Sequence, residues 1–139
     1  MSTVGQLERK TQDRVVRFLC ERLGYEYGGN WEDRAGNANI EVAYLRGSLL
    51  ARGYDEELIG KTINELSKTA SVGGPRTLYE ANRDVYGLLR YGVKVKRSVG
   101  DQFETVWLID WNHPEANHFV VTEEGSISGE HNKCPDVVL

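Results

Sequence analysis

The hydrophobic pattern of this chain changes its period near Tyr91, and the change limits which folds are open to it. Before Tyr91, apolar residues recur every three or four positions, which is typical of amphipathic helices. After it, apolar residues alternate with polar ones or form short runs between turns, which is typical of strands. Helices followed by strands predict an α+β fold, and 139 residues suit about one domain.

Four helices are predicted before Tyr91. The first has an apolar stripe of Val15, Val16, Leu19 and Leu23, and Gly24 follows as a stop. The turn-forming segment 28–39 predicts a loop anchored by Trp31. The second and third helices are predicted to form a helical hairpin, an insertion of about residues 37–75. The predicted helices cover about residues 7–23, 39–52 with Asn39 as the cap, 55–72 and 77–90.

The rest of the chain predicts a largely antiparallel sheet. Its longest apolar run, at 105–111, predicts a central strand, and further strands are predicted at 119–121, around Ile127 and at 136–139. In Val93-Lys94-Val95-Lys96 the valines predict a buried face and the lysines a basic one. Lys94 and Lys96 are therefore candidates for contacts with DNA phosphates. The alternative is a solvated face that discourages edge pairing.

Composition narrows the possible functions. A net charge of −4 is poorly suited to gripping nucleic acid unaided, because that affinity comes mainly from basic side chains that neutralise phosphates. No apolar run approaches the roughly 18 residues of a membrane span, and residues 1–8 lack the pattern of a signal peptide. We therefore expect a cytoplasmic protein without membrane contact. Cys20 and Cys134 have no paired spacing and are expected to be free thiols.

Asp136 is the strongest candidate for chemistry. It follows Pro135, which suits the first position of a strand, and it precedes the apolar Val137-Val138-Leu139. A carboxylate at the entrance of a buried strand is well placed to hold Mg²⁺, which usually takes only one or two protein carboxylates. The alternative is that Pro-Asp is simply a turn dipeptide.

Glu8 is the second candidate. At about 100° per residue, Glu8 and Gln12 both fall within the apolar arc of the first helix, so Glu8 is expected to face inward. An inward acid requires a partner or a metal, because burial of an unpaired charge costs free energy. The alternative is that it favours the helix dipole from the first turn and still reaches water.

These stretches, taken in order, resemble the amino-terminal part of the R (restriction and motor) subunit of type I restriction enzymes. The resemblance covers nearly the whole chain, and its order and spacing are more specific than any single motif. It ends with Pro135-Asp136-Val137-Val138-Leu139. The other stretches that carry it are residues 8–16, 23–25, 29–34, 78–83, 87–95 and 107–111.

The resemblance implies a PD-(D/E)XK nuclease fold, a mixed sheet flanked by helices, in which Asp136 and a Glu-x-Lys on the next strand bind Mg²⁺ and orient water. Glu8 matches the acid of the first helix, with Gln12 as the alternative. The chain ends at Leu139, before any Glu-x-Lys, and Cys134 stands where the family often has a basic residue. We therefore expect a fragment, residues 1–139 of a longer nuclease domain, with an incomplete core.

The function that the resemblance implies is metal-dependent DNA cleavage by an ATP-dependent restriction endonuclease, with this fragment inactive alone. ATP would be used by the full-length subunit, whose partners are DNA and the methyltransferase and specificity subunits. A second hypothesis is a non-catalytic assembly module whose helical insertion docks on the motor or methyltransferase subunits. A third is another PD-(D/E)XK enzyme, such as a junction resolvase.

Overall fold

A computed structural model describes residues 3–35, 38–124 and 137–139. It shows helices and small sheets in an α+β arrangement, which confirms the predicted fold class. The helices are α1 (Thr3–Leu23), α2 (Val42–Ala51), α3 (Glu56–Ala70) and α4 (Leu78–Tyr91), with a short 3-10 helix at Pro114–Ala116. The strands are β1 (Glu26–Asn30), β2 (Val93–Val95), β3 (Glu104–Val106), β4 (Val120–Glu123) and β5 (Val137–Val138).

The chain divides into two compact units. Unit 1 comprises residues 1–39 and 118–139 and contains α1, β1, β4 and β5. Unit 2 comprises residues 40–117 and contains α2, α3, α4, β2 and β3. Within the described residues, no helix is both long and apolar enough to cross a membrane.

Unit 2 is built around an apolar core. Leu49 of α2, Ile59 of α3, and Val93 and Val106 of the β2–β3 pair are fully buried. Strands β2 and β3 are antiparallel, with Val93 opposite Val106. Gly92 makes the turn into β2 at φ +82°, where an added Cβ would lie only 2.5 Å from the Cγ2 atom of Thr105. Only glycine therefore fits between α4 and β2.

Two helices of unit 2 have the start signals that the sequence contains. The Asp55 side chain caps α3 by accepting a hydrogen bond from the Leu58 backbone N–H. Thr77 and Glu80 form a capping box at the start of α4. The predicted cap of α2 is wrong, since the cap position is Glu41 rather than Asn39 and its side chain makes no capping bond.

Unit 1 contains a three-stranded mixed sheet in the order β1-β4-β5. Strand β1 runs parallel to β4, with Glu26 opposite Val120, whereas β4 and β5 are antiparallel. The prediction of a largely antiparallel sheet missed β1, because Gly28, Gly29 and Asn30 are turn formers. They become a strand through pairing with β4, and the irregular register between Tyr27 and Gly29 is accommodated by Gly29 at φ +103°.

The strand predicted at 105–111 is present only at its start, and the prediction that it is central is wrong. Strand β3 ends at Val106 and belongs to a separate two-stranded sheet with β2. The next backbone N–H, that of Trp107, donates to the Tyr54 hydroxyl at 3.1 Å instead of to a strand. A side chain has therefore replaced the neighbouring strand as the hydrogen-bond partner, and the apolar run continues as irregular chain.

Candidate active site

Helix α1 meets the sheet of unit 1 through a polar residue. Gln12 is the most buried of the α1 side chains from Gly5 to Leu23, with 9% of its surface exposed, and Val16 and Leu19 lie half-buried after it. The Nε2 atom of Gln12 donates to Oε1 of Glu124 at 3.1 Å. The predicted apolar stripe is only partly right, because Val15 and Leu23 are exposed.

Glu123, at the end of β4, is a buried acid that sequence reasoning did not single out. Only 4% of its surface is exposed, and its Oε2 atom accepts a hydrogen bond from the Tyr27 hydroxyl at 2.8 Å. The Nη2 atom of Arg9 lies 3.8 Å from the same oxygen. A buried carboxylate is costly unless it is hydrogen-bonded or paired, and β1 and α1 supply both partners.

Tyr27 shows the electrostatic effect of this arrangement. The hydrogen bond to Glu123, together with burial and the charge of that carboxylate, raises the pKa of the Tyr27 hydroxyl above its usual 10.0. The hydroxyl therefore stays protonated and keeps donating to Glu123 throughout the neutral pH range.

The two residues that flank Glu123 are also unusual. The Oγ1 atom of Thr122 is buried and has no hydrogen-bond partner among the described residues. Glu124 has φ +53°, a left-handed conformation that is uncommon for residues other than glycine. Buried unpaired polar atoms and left-handed residues cost free energy and are concentrated at functional sites. The end of β4 is therefore the strongest functional candidate in unit 1.

The last strand lies beside this acidic end. Val137 of β5 is opposite Glu123, and Val138 is opposite Thr122. Val137 is the residue that follows Asp136 in the chain. Asp136 itself lies outside the described residues, as do Pro135 and Cys134, so its role as a metal ligand stays a prediction.

Glu8 does not face inward as expected. It is exposed, as are all residues of α1 from Gly5 to Thr11. The angular argument placed Glu8 correctly relative to Gln12 but assumed that another element covers this part of the helix, and none of the described elements does so. Gln12, the alternative one turn later, is buried and donates to Glu124, the residue that follows β4. A role for Glu8 as a catalytic residue or metal ligand stays a prediction.

The residues around β4 match Mg²⁺ in the type of donor but not in number. Carboxylate and amide oxygens are the ligands that this cation prefers. Yet within the described ranges, no three His, Cys, Asp or Glu side chains are grouped so that they could hold a metal ion. The described residues alone therefore do not make up a metal site.

Lys94 and Lys96 lie in unit 2. Both are exposed and alternate with the buried Val93 and Val95, as the pattern predicted. The Nζ atom of Lys96 lies 4.4 Å from the centroid of the Phe103 ring. Contacts between these lysines and DNA stay a prediction.

Sequence reasoning missed Arg9, Tyr27 and Glu123. The signal was present in part, because the apolar Phe119-Val120-Val121 is followed, after Thr122, by two acids. The sequence pattern did not predict β1, and Tyr27 reaches Glu123 only because β1 pairs with β4.

Comparison with known protein families gives one clear match. The family described as the type I restriction enzyme R protein N terminus matches residues 5–139. No curated protein and no solved structure matches the chain significantly. The family match covers nearly every residue, including the described parts of both units. The chain therefore belongs to the family of type I restriction enzyme R protein N termini.

Proposed function

We propose that this chain is the DNA endonuclease region of a type I restriction enzyme R subunit and that it serves metal-dependent hydrolysis of phosphodiesters. The observation that carries the proposal is the family match across residues 5–139. Membership implies a restriction endonuclease in the full-length protein and a complex with other subunits and DNA. We further propose that the R subunit assembles with methyltransferase and specificity subunits in the cytoplasm. The full-length subunit would hydrolyse ATP.

In this proposal Asp136 is a ligand of Mg²⁺, with an acid or amide of α1, Glu8 or Gln12, nearby. A bound metal would supply an activated water and would stabilise the charge that develops on the phosphate. The described residues of unit 1 support this proposal through the contacts around the end of β4. Tyr27 and Arg9 hold the Glu123 carboxylate at the end of β4, beside the strand that follows Asp136. The exposed Lys94 and Lys96 would contact DNA phosphates.

The experiment replaces Asp136 by Ala or Asn in the assembled restriction complex. DNA cleavage should fall about a hundredfold or more, because even the loss of an outer-shell partner of a metal costs about 10- to 100-fold. ATP hydrolysis stimulated by DNA should persist, since Asp136 serves only the scissile phosphate. Glu8→Gln should reduce DNA cleavage less than Asp136→Ala or Asp136→Asn does.

The matched control is Asp101→Ala, which removes an exposed carboxylate from a turn of unit 2. Its cleavage should equal that of the unmodified complex. Intact cleavage by Asp136→Ala would overturn the catalytic assignment, and so would loss of ATP hydrolysis together with cleavage.

A non-catalytic assembly module is the second candidate, and one observation favours it. Helix α4 exposes Leu78, Tyr79 and Tyr86, of which 64%, 74% and 64% of the surface is accessible. Large exposed apolar residues on one element are typical of protein interfaces. Loss of complex assembly in Tyr79→Ala, with unchanged cleavage in Asp136→Ala, would favour this second function.

A further inference from the structure

Unit 2 contains a pocket that the nuclease proposal does not use. Its volume is about 520 Å³, within the range of small-molecule sites. Cationic and aromatic side chains dominate its lining, contributed by Arg52, Tyr54, Arg90, Tyr91, Trp107 and Trp111. All lie between residues 40 and 117, so unit 2 forms the pocket by itself.

The two arginines place positive charge at this pocket. The Nη2 atom of Arg52 donates to the Leu108 carbonyl at 2.9 Å, whereas its Nε atom is buried with no hydrogen-bond partner in the described part of the chain. The Arg90 guanidinium is exposed and lies 5.1 Å from the centroid of the Trp111 ring. Guanidinium groups form strong charge-assisted hydrogen bonds with phosphates, so the two arginines favour an anionic ligand in this pocket.

Both indole rings at the pocket are accessible, and the Trp111 ring is held by a hydrogen bond. The Nε1 atom of Trp111 donates to the Leu89 carbonyl at 3.0 Å, and the backbone of Trp107 is held by the Tyr54 hydroxyl. Even so, 47% of the Trp111 surface and 42% of the Trp107 surface remain exposed. Large exposed aromatic surfaces are suited to stacking with a flat ligand, and the Trp111 ring is already held in place.

Asp110 is the carboxylate among the residues that line the pocket. It accepts hydrogen bonds from the backbone N–H groups of His113 and Asn112, at 2.9 and 3.1 Å, which lower the pKa of this carboxyl. Its negative charge is thereby partly compensated. Two guanidinium groups against one compensated carboxylate leave the lining suited to an anion.

We propose that this pocket binds an unpaired nucleotide of single-stranded DNA, with the base stacked on Trp107 or Trp111 and a phosphate held by Arg52 and Arg90. Stacking on aromatic rings and backbone contacts from cations are the two recurrent means of binding single strands. Bases within a duplex are already stacked on each other, so a duplex does not offer a free ring. This inference rests on unit 2 alone and does not depend on the nuclease proposal.

The test uses the intrinsic fluorescence of the 139-residue chain. It has three tryptophans, and Trp31→Phe leaves only the two in the pocket. Titration with an oligothymidylate of eight nucleotides should quench this fluorescence with saturation, because a stacked base quenches indole emission. An abasic strand of equal length and charge should quench at least about fivefold more weakly, as should a duplex of the same length.

A second measurement does not require Trp31→Phe to fold. The substitutions Arg90→Ala and Tyr91→Ala are each made in the wild-type chain. Fluorescence anisotropy with a labelled oligothymidylate should show that each of them weakens binding about fivefold or more. Arg83→Ala and Tyr86→Ala are matched controls, since both residues are exposed on α4 and lie outside the pocket lining. They should leave binding unchanged.

Any of three results would overturn the proposal: equal binding of the abasic strand, equal losses in the control variants, or no saturable binding by either method. Each of these results is independent of DNA cleavage. A failure here therefore leaves the nuclease proposal standing, and failure of the cleavage test leaves this one standing.

Discussion

The two units of this chain differ in what they bury. In unit 2 the residues without solvent exposure are almost all apolar, such as Leu49, Ile59 and Val106, and its helices begin at regular caps. In unit 1 the buried residues of α1 and β4 include Gln12, Thr122 and Glu123 beside Val121. Apolar burial stabilises a fold directly, whereas polar burial does so only when each group finds a partner.

This difference suggests that unit 2 mainly provides stability and that unit 1 contains the functional site. Among the described residues, unit 2 departs from the rules of a stable domain at the buried, unpaired Nε atom of Arg52. The end of β4 departs from them three times within three residues, with a buried acid, an unpaired hydroxyl and a left-handed glutamate. Proteins retain such violations mainly at functional sites. The comparison therefore favours unit 1 as the location of any hydrolytic chemistry, and it can be tested by substitutions in both units.

The largest effect is expected in the core of unit 2. Ile59→Ala should lower the free energy of unfolding by about 2–5 kcal/mol, because it leaves a cavity at a fully buried position. Urea unfolding measures this change. Leu78→Ala is the control, since 64% of Leu78 is exposed, and its effect should stay within about 0.5 kcal/mol. Equal losses in the two variants would contradict the assignment of this core.

A smaller effect is expected in unit 1. Tyr27→Phe removes the hydroxyl that donates to Glu123 and should lower the free energy of unfolding by about 1 kcal/mol. A larger loss is not expected, because about half of the Tyr27 surface is exposed to water. Tyr79→Phe, at a position with 74% exposure, is the matched control and should be neutral. Urea unfolding followed at Trp31 reports on unit 1. No difference between the two variants would show that Glu123 does not depend on Tyr27.

The features of the two units that depend on neighbouring residues could be predicted from the sequence. Asp55, Thr77 and Gly24 mark the helix boundaries because caps and stops act within a few residues. Strand β1 and the partners of Glu123 were missed because both depend on contacts between segments far apart in the sequence, which local patterns do not encode. Tyr27 and Glu123, for example, are 96 residues apart. The exposure of Glu8 was missed for the same reason, since periodicity gives the direction of a side chain but not whether another element covers it.

The smallest expected effect is a difference in pH dependence. In unit 2 the pKa values of Asp55 and Glu80 lie below their usual 3.8 and 4.5, because each accepts hydrogen bonds from backbone N–H groups at a helix start. These groups contribute stability above their usual pKa values, and that contribution is lost as the pH falls through the lowered ones. In unit 1 the raised pKa of Tyr27 gives stability below pH 10.0 that is lost as the pH rises.

Tryptophan fluorescence can follow both units, because Trp31 lies in unit 1 and the other two tryptophans lie in unit 2. Single-tryptophan variants should show unit 2 losing stability in acid and unit 1 in alkali. The opposite order would contradict the assigned hydrogen bonds.

Paramagnetic broadening tests most directly the proposal that unit 1 holds the metal. Substoichiometric Mn²⁺, as a substitute for Mg²⁺, would be added to the ¹⁵N-labelled chain, and each amide signal would be followed by NMR. Selective broadening is expected at Glu123 and Val137, and it should disappear in Asp136→Ala. Broadening centred on the acidic start of α3, at Glu56 and Glu57 in unit 2, or broadening unchanged by Asp136→Ala, would contradict it.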